Sequence, residues 1–502
     1  MTAMLSPRVA YDPHETSLSW AGRLAAVHTG QPLQRLLADM SVPFSAFLAG
    51  EPGAVIGLAE VAGEDPERVQ DGAFRLLHRY NMFREEDCQR GFASPRVRQF
   101  CPLYVRADGN GSAWKHHILW CFSAVSICPE HGVGLASAPS DTDLVDIRHA
   151  VDAMGGLWRA EATLQDQPVH DHVKWIASRL DGTARDGDWL GAQTIAQIIE
   201  ASEMLGAVLE HGQKIRIGTL SAGERQDAIA RGFSIMANGA DAVTAAFDDI
   251  RAASAARAVQ AGPLAMYGQL FEWLNRRANL LDPGPIKGLL REHILRHTAI
   301  PRGERLLGEE VTERRLHSIA TLSEVTRIPR RRLTRLLQKL GQVPEGISDL
   351  ESGHLTFPAA EMEQLCRDLA DAVPLEDVPD YISASIRQTQ TLKRAGILTP
   401  IVGGKKPGDV RQLVFARRTL DGFLDRLEAL PVTVDPEAVD IPSACRRLGI
   451  FTEDLVGGIL TGAIPAHRLD GRGLDQIRLR LDDVERHRHV LRSDKWVAAK
   501  IP

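Results

Sequence analysis

The sequence has 502 residues, a formal net charge of −6 and 44% hydrophobic residues, values that predict a globular protein of several domains. No run approaches the roughly 18 consecutive apolar residues that a membrane span requires, and residues 1–20 lack the pattern of a secretory signal. Six cysteines are too few for a disulfide scaffold, and their clustering favours a metal site in a cytoplasmic protein. The overall charge gives no general sign of nucleic-acid binding, so local charge matters more.

Helical periodicity dominates the chain outside one short module. Residues 1–80 predict an N-terminal helical domain, whereas from 81 to 140 Pro, Gly, His, Trp and Cys accumulate, as in a loop-rich module held by a metal. Residues 141–300 predict a helical middle domain. Turn-rich breaks divide the remainder into predicted units at 301–345, 346–430 and 431–502. The predicted fold class is mostly α: a multidomain helical protein with a small zinc-knuckle-like module and several helix-turn-helix or winged-helix units.

Three residues of the loop-rich module have the types and spacing of zinc ligands. Cys128 and His131 form a Cys-x-x-His pair in "ICPEHGVGL" (127–135), and Cys101 precedes them in "FCPLYVRAD" (100–108). The 26 residues between the two cysteines are enough for the chain to return across a small two-knuckle module. These three side chains therefore predict most of a closed zinc site, which normally takes four Cys or His ligands.

The fourth ligand is not defined by the spacing. A Cys-x-x-Cys knuckle that opens with Cys101 would place its second cysteine at position 104, where the sequence has Tyr104, a poor ligand. Four nearby side chains could replace it: Cys88, Cys121, His116 and His117. We assign the role to Cys121. In the alternative interpretation the module holds no zinc and folds by packing Tyr104, Trp114 and Trp120.

No catalytic motif accompanies these residues. The sequence has no Walker A loop, no Gly-x-Ser-x-Gly elbow, no His-Glu-x-x-His pair and no Gly-x-Gly-x-x-Gly after a strand. The zinc-deaminase pattern is missing as well. A metal-dependent nuclease would need a strand-rich core to carry its acidic residues, and the periodicity is helical. The sequence therefore predicts a protein that is not an enzyme.

The strongest nucleic-acid-binding signal is "SIATLSEVTRIPRRRLTRLLQKLG" at 318–341. Ser318 can cap a first helix and Pro329 can begin a second, the arrangement that lays a second helix into a DNA major groove. Residues 311–341 contain eight basic and two acidic side chains, a balance of +6. The predicted DNA contacts are Arg327, Arg330, Arg331, Arg332, Arg335 and Lys339. The alternative is a solvated basic face on a helical hairpin, and four arginines at the start of one helix favour DNA.

Two later segments carry weaker signals. Residues 391–427 have the order helix, short strand (397–402), turn, strand and helix, which resembles a winged helix. Lys405 and Lys406 would lie at the wing tip, where a phosphate can bind; a hairpin kept soluble by lysines is an equal alternative. Residues 443–462 predict a third helical pair, but its second helix carries acidic and no basic side chains, so a structural hairpin is predicted there.

Parts of the chain resemble the TniQ family, whose longer members are called TnsD. "ETSLSWAGRLAAVHTG" (15–30) is similar to the family's opening, with its Glu, Trp and Arg-Leu-Ala. "VRQFCPLYVRAD", a Trp-rich stretch and "VSICPEHGVGL" are similar to its Cys-Pro-x-Cys, Trp and Val-Cys-x-x-His-Gly pattern. The resemblance is specific over 15–135, weaker over 140–345 and vague beyond 350. It implies ligand roles for Cys101, Cys128 and His131, whereas the second cysteine of the pattern has no counterpart.

The resemblance implies a non-catalytic adaptor for transposition target-site selection. Such a protein binds double-stranded target DNA and recruits an AAA+ ATPase, which brings the DDE transposase of a bacterial transposon. One alternative is a CRISPR-associated member that bridges an RNA-guided complex to this machinery, and another is a stand-alone helix-turn-helix transcription regulator. The extra helical pairs favour direct DNA contact, and a regulator would not need residues 15–135. Family members can dimerise, so a homodimer is also expected.

Overall fold

The computed structural model describes residues 5–139, 144–185, 187–254, 262–277, 281–347, 355–402 and 413–487. Two compact units divide the chain, residues 1–298 with 302–312 and residues 299–301 with 313–502. Helices account for most of the regular structure in both units, and the strands have only two or three residues each. The predicted mostly α, multidomain fold class is therefore confirmed. Within the described ranges, no helix has both the length and the apolar character that crossing a bilayer would take.

The first unit opens with a layer of short helices. They are α1 (Ser17–His28), α2 (Leu33–Asp39), α3 (Phe44–Leu48), α4 (Pro52–Ala62) and α5 (Pro66–Asp71). Thr16 caps α1 by accepting a hydrogen bond from the backbone N–H of Ser19, and Trp20 is fully buried with its indole N–H on the Val9 carbonyl at 2.9 Å. Glu15, also fully buried, forms an ion pair with Arg23.

A loop-rich module follows, built from short antiparallel pairings. Its strands are β1 (Phe74–Leu76), β2 (Asn81–Phe83), β3 (Glu86–Cys88), β4 (Gln99–Phe100), β5 (Ile127–Cys128), β6 (Val133–Gly134) and β7 (Ala136–Ser137). Strands β1, β2 and β3 form one sheet, β4 pairs with β7, and β5 pairs with β6. Helix α6 (Pro102–Ala107) and a single 3₁₀ turn at Ile118–Cys121 complete the module. With so little regular structure, its organisation depends on side-chain packing and on the cysteine–histidine cluster described below.

The opening helix is fastened to this module by hydrogen bonds. The His116 backbone N–H donates to Ser19 Oγ at 2.8 Å, and the Thr16 N–H donates to the His116 carbonyl at 3.1 Å. The Ile118 N–H donates to the His14 carbonyl at 2.8 Å. The stretch that begins with Glu15 therefore serves to dock the first helices onto the cysteine-containing module.

Longer helices complete the first unit. They are α7 (Ile147–Ala153), α8 (Leu157–Ala162), α9 (Asp171–Leu180), α10 (Asp188–Gly191), α11 (Ile195–His211), α12 (Ala222–Met236), α13 (Ala240–Ala253), α14 (Pro263–Arg277) and α15 (Ile286–His297). A two-stranded hairpin, β8 (Arg305–Leu306) and β9 (Glu309–Glu310), follows them. Helices α11 and α12 touch backbone to backbone: a Cβ atom on Gly232 would lie 1.8 Å from the Ser202 carbonyl oxygen, and one on Gly206 would lie 1.9 Å from that of Ala228. Glycine is required at both crossings.

The second unit begins with the predicted basic helical pair. Its elements are β10 (Leu316–Ser318), α16 (Ile319–Thr326), α17 (Arg330–Lys339), β11 (Thr356–Pro358) and α18 (Ala359–Ala370). Ser318 caps α16, as predicted, in a capping box with Thr321. Strand β11 pairs antiparallel with β10 and brings Phe357 into the apolar core of the helical pair, together with Met362.

A second core holds the rest of this unit. Its elements are β12 (Val373–Pro374), α19 (Val378–Tyr381), α20 (Ile386–Arg394), β13 (Val414–Phe415), α21 (Arg417–Glu428), α22 (Ile441–Leu448), α23 (Thr452–Leu460), β14 (His467–Arg468), β15 (Ile477–Arg478) and α24 (Leu481–Arg486). The strand predicted over 397–402 is not formed: these residues follow an irregular path with bends, because the N–H groups of Ile397 and Leu398 donate to the Leu392 carbonyl. Strand β12 pairs with β13 instead.

Candidate functional site

The three predicted zinc ligands converge. Cys101 lies immediately before α6, Cys128 ends β5, and His131 lies in the turn that leads to β6. His131 Nδ1 is 3.6 Å from Cys101 Sγ and 3.3 Å from Cys128 Sγ, and the three ligand atoms lie within 4.8 Å of one another. Zinc–sulfur bonds of about 2.3 Å and zinc–nitrogen bonds of about 2.0–2.1 Å separate tetrahedral S and N atoms by roughly 3.5 Å. The measured distances fit that separation.

A hydrogen bond between the two thiols shifts their pKa values in opposite directions. The Cys128 thiol donates to Cys101 and lowers the pKa of Cys101 to about 6, helped by the backbone N–H groups of Leu103 and Tyr104. Donation by this hydrogen bond and burial both raise the pKa of Cys128 above its usual value. Both shifts favour deprotonation of Cys101 over deprotonation of Cys128. Because metals bind thiolates, a cation here would release the remaining proton.

Tyr104 lies against this cluster, and its hydroxyl is engaged by Glu130. Its ring packs edge-on against the His131 imidazole, with 4.7 Å between centroids and 88° between planes. Burial, followed by the negative charge and hydrogen bond of Glu130, raises the pKa of Tyr104 to about 12. The phenol therefore stays protonated and directed at a carboxylate. The residues present fit zinc as a set of two sulfurs and one nitrogen with one position left open.

The structure does not bring Cys121, the assigned fourth ligand, into the cluster. Cys121 Sγ lies 3.9 Å from His116 Nδ1, and its side chain belongs to the aromatic core around Phe122, which also contains Cys88. Burial raises the pKa of Cys121, as expected for a thiol that packs as a small apolar group. The cause is the 3₁₀ turn that ends at Cys121, because the Cys121 side chain joins the core around Phe122. Cys101 and Cys128 belong to a different apolar core.

The two histidines proposed as alternative ligands are also engaged elsewhere. His116 Nε2 lies 3.2 Å from the Gln99 carbonyl oxygen, and burial lowers the pKa of His116 to about 4. His117 stacks on Trp120 with 4.4 Å between centroids, and burial lowers its pKa to about 3. Both rings are therefore neutral at physiological pH. The His117 ring also lies 4.6 Å from that of Tyr104.

The basic helical pair presents its charge to solvent. Arg327, in the turn between α16 and α17, adopts the left-handed conformation with φ of 56°, and the Ser323 hydroxyl donates to the Ile328 carbonyl at 2.7 Å. Leu333 and Leu337 face the core, whereas the basic side chains are exposed. The exposed set is Arg327, Arg330, Arg331, Arg332, Arg335 and Lys339. The sequence thus predicted correctly which side of α17 faces solvent. Lys405 and Lys406 lie outside the described residues.

One further cluster was missed in the sequence. Asp248 on α13 and the histidines His293 and His297 on α15 place their ligand atoms within 4.8 Å of one another. The spacing of the two histidines, four residues apart on one helix, was visible in "HILRH" (293–297). The spacing did not reveal the third member, Asp248, because Asp248 lies on α13, which ends 33 residues before α15 begins.

Fold and site together define a mostly α, multidomain protein. Its first layer of helices is docked on a cysteine–histidine module, and a separate unit carries an arginine-rich helix. Comparison with protein families gives a match to the family model TniQ over residues 6–135. The chain thus carries a TniQ domain, and the predicted resemblance is confirmed over that range. A TniQ domain implies a role in transposon target selection and an association with the transposition machinery. No curated protein matches the chain.

Proposed function

We propose that the protein is a non-catalytic adaptor that selects the target site for a bacterial transposon. In this proposal it binds double-stranded target DNA and recruits an AAA+ ATPase, which brings in the DDE transposase. The observation that carries the proposal is the presence in one chain of a TniQ domain and an exposed arginine-rich helix in a separate compact unit. The first links the protein to transposition, and the second offers a means of contacting DNA directly.

Helix α17 is the proposed DNA-contacting element. Its apolar side is buried through Leu333 and Leu337, so the opposite side must face solvent or a partner. Among the described residues, no acidic side chain forms an ion pair with Arg330, Arg332 or Arg335. Guanidinium groups that are exposed on one side of a helix can bind phosphates or the edges of guanine bases. The proposed contact set is Arg327, Arg330, Arg331, Arg332, Arg335 and Lys339, with Lys405 and Lys406 as a second phosphate contact.

We further propose a structural zinc ion held by Cys101, Cys128 and His131. When bound, zinc would fasten the start of α6 to the β5–β6 hairpin, a link that the short strands of the module do not provide by themselves. Gly132, with φ of 64°, makes the tight turn in which His131 lies, and its N–H donates to the Cys128 carbonyl at 2.9 Å. These features support the metal interpretation over a knuckle that is held by aromatic packing alone.

Footprinting tests the adaptor proposal. The purified protein is incubated with the ends of its own element, an insertion site of that element and random DNA, at two salt concentrations. Protection of one defined site supports direct target reading, and co-purification with the element's ATPase supports recruitment. Salt-sensitive binding without a footprint would indicate that another component, such as an RNA-guided complex, chooses the target. Promoter protection without ATPase binding would indicate a transcription regulator.

The arginine assignment is tested by Arg330→Ala combined with Arg335→Ala. Each lost phosphate contact removes about one released counterion, so affinity should fall and the slope of log K against log salt should shrink by about 1 to 2. The matched control is Arg446→Ala combined with Arg447→Ala, which removes two exposed arginines from α22 in the same unit. Equal affinities and salt slopes for the two double variants would contradict DNA contact by α17.

A further inference from the structure

A second group of metal-binding side chains lies far from the cysteine cluster in the sequence. His293 and His297 occupy successive turns of α15, and Asp248 reaches them from α13. Asp248 Oδ1 is 3.1 Å from His293 Nε2 and 3.7 Å from His297 Nε2. Both histidines thus present Nε2 to the same carboxylate oxygen. The burial is graded: His293 is buried, His297 is 27% exposed and Asp248 is 53% exposed, so one side of the cluster opens to solvent.

The distances match those of a metal site. Metal–nitrogen and metal–oxygen bonds of about 2.0–2.2 Å separate tetrahedral neighbours by roughly 3.3–3.6 Å. The two measured distances, 3.1 and 3.7 Å, bracket that range. The donor set, two imidazoles and one carboxylate, suits first-row divalent cations, and three protein ligands leave further positions for water or an external ligand.

An outer hydrogen bond orients the buried histidine. The Tyr267 hydroxyl lies 2.8 Å from His293 Nδ1, and its side chain is fully buried. This contact leaves Nε2 of His293 to face Asp248, as the outer partner of a metal-bound histidine does. Tyr267 directly precedes the kink at Gly268, where φ is 53° and a Cβ atom would lie 2.0 Å from the Gln213 carbonyl oxygen.

We propose that Asp248, His293 and His297 bind a first-row divalent cation of the zinc class, in a site distinct from the cysteine knuckle. Arg251 lies 3.9 Å from Asp248 and competes for the carboxylate, so without a cation the cluster is a network of hydrogen bonds and ion pairs. A bound cation would replace the Asp248–His293 hydrogen bond by coordination and would join α13 to α15. The solvent-facing side of the cluster would remain available to a further ligand.

Co²⁺ titration of the full-length, chelator-treated protein tests this proposal, because the absorption of bound Co²⁺ distinguishes thiolate ligands from nitrogen and oxygen ligands. The wild-type protein should bind one Co²⁺ equivalent without thiolate absorption, in addition to any bound by the cysteines. Asp248→Asn or His297→Gln should weaken that equivalent at least 100-fold, and Tyr267→Phe should weaken it about 10-fold. Zn²⁺ should displace Co²⁺ from the site.

The matched control is Asp249→Asn, which removes an exposed carboxylate next to Asp248 on the same helix and should leave Co²⁺ binding unchanged. Circular dichroism establishes that each variant folds. If Asp248→Asn does not fold, His297→Gln takes its place in the comparison. The proposal is overturned if the wild-type protein shows no thiolate-free equivalent, or if Asp248→Asn and Asp249→Asn bind Co²⁺ equally. Neither result depends on DNA binding or on the adaptor function.

Discussion

At the scale of single residues, the contacts of the cysteine–histidine cluster depend on Tyr104, three positions after Cys101. Tyr104 supplies an aromatic ring that packs on His131, and its phenol is committed to Glu130. A phenol with a pKa of about 12 is not a competing anion near neutral pH. At this position the module therefore has an aromatic contact where a Cys-x-x-Cys knuckle would have its second cysteine. The affinity of the proposed zinc site should be limited by ligand number, since three side chains supply ligand atoms where a closed site takes four.

The variant Tyr104→Cys should raise zinc affinity at least about 10-fold, equivalent to about 1.4 kcal/mol, because a fourth ligand completes the closed site. Competition with a chromophoric chelator measures the gain, and the thiolate absorption of bound Co²⁺ assigns it to this site. The variant Cys121→Ser is the control and should leave zinc affinity unchanged. A gain no larger for Tyr104→Cys than for the control would indicate that the open position is not near residue 104.

At the scale of helices, two backbone features decide how neighbouring elements meet. Helices α11 and α12 approach until Gly232 touches the Ser202 carbonyl, a distance that no side chain tolerates. In the basic pair, α16 ends at Arg327 in a left-handed conformation, which costs a residue with a side chain about 1–2 kcal/mol. The corresponding position in the α22–α23 pair is Gly449, with φ of 63°. An arginine in this strained conformation, next to the proposed DNA-contacting helix, is consistent with a functional need for positive charge at position 327.

Gly232→Ala should destabilise the protein by roughly 1–3 kcal/mol, because the added methyl group forces α11 and α12 apart. Gly223→Ala is the matched control on the same helix: its Cβ atom would meet nothing within 4 Å, so the variant should be neutral or more stable by up to about 1 kcal/mol. Denaturant unfolding monitored by circular dichroism measures both. Equal stabilities would show that the helices separate at little cost.

Arg327→Gly should stabilise the second unit by about 0.5–1 kcal/mol, since relief of the left-handed strain exceeds the extra chain entropy of glycine. The same variant should weaken DNA binding, because it removes one positive charge from the proposed contact set. Gly449→Ala should lower stability by about 1 kcal/mol without affecting DNA binding. Thermal unfolding and a binding titration provide the two readings. Loss of stability in Arg327→Gly would contradict the strain argument.

At the scale of the whole molecule, the chain separates its two proposed tasks. The TniQ domain and both candidate metal sites lie in the first compact unit, and the arginine-rich helix lies in the second. The formal charge of −6 conceals this division, because residues 311–341 hold eight basic and only two acidic side chains, a local balance of +6. A negatively charged chain with a local basic surface should bind DNA in a way that depends strongly on salt.

A chain that ends at Thr312 should therefore fold, keep both metal sites and lose salt-dependent DNA binding. Circular dichroism, Co²⁺ titration and a gel-shift assay measure the three properties, with the full-length protein as the reference. Retention of DNA binding by the shortened chain would move the DNA contact into the first unit. Failure to fold would show that the second unit is needed to stabilise the first, contrary to the division at this boundary.

The sequence alone determined the features that depend on local spacing. Helical periodicity predicted a mostly α protein, Ser318 was recognised as a cap, and the exposed side of α17 followed from the positions of its leucines. The spacing of Cys101, Cys128 and His131 predicts that these three side chains come together, as they do in the structure, whereas the zinc itself stays a prediction. Such features are encoded within a few residues of one another, so a single sequence is enough to identify them.

Only the tertiary structure decided which distant groups meet. It placed Cys121 in an aromatic core and not beside Cys101 and Cys128, gave 397–402 a bent, irregular path because the chain closes back on Leu392, and joined Asp248 to a histidine 45 residues away. Each outcome depends on how helices and turns pack against one another after they form. That packing is set by the summed fit of many side chains, which no local spacing records.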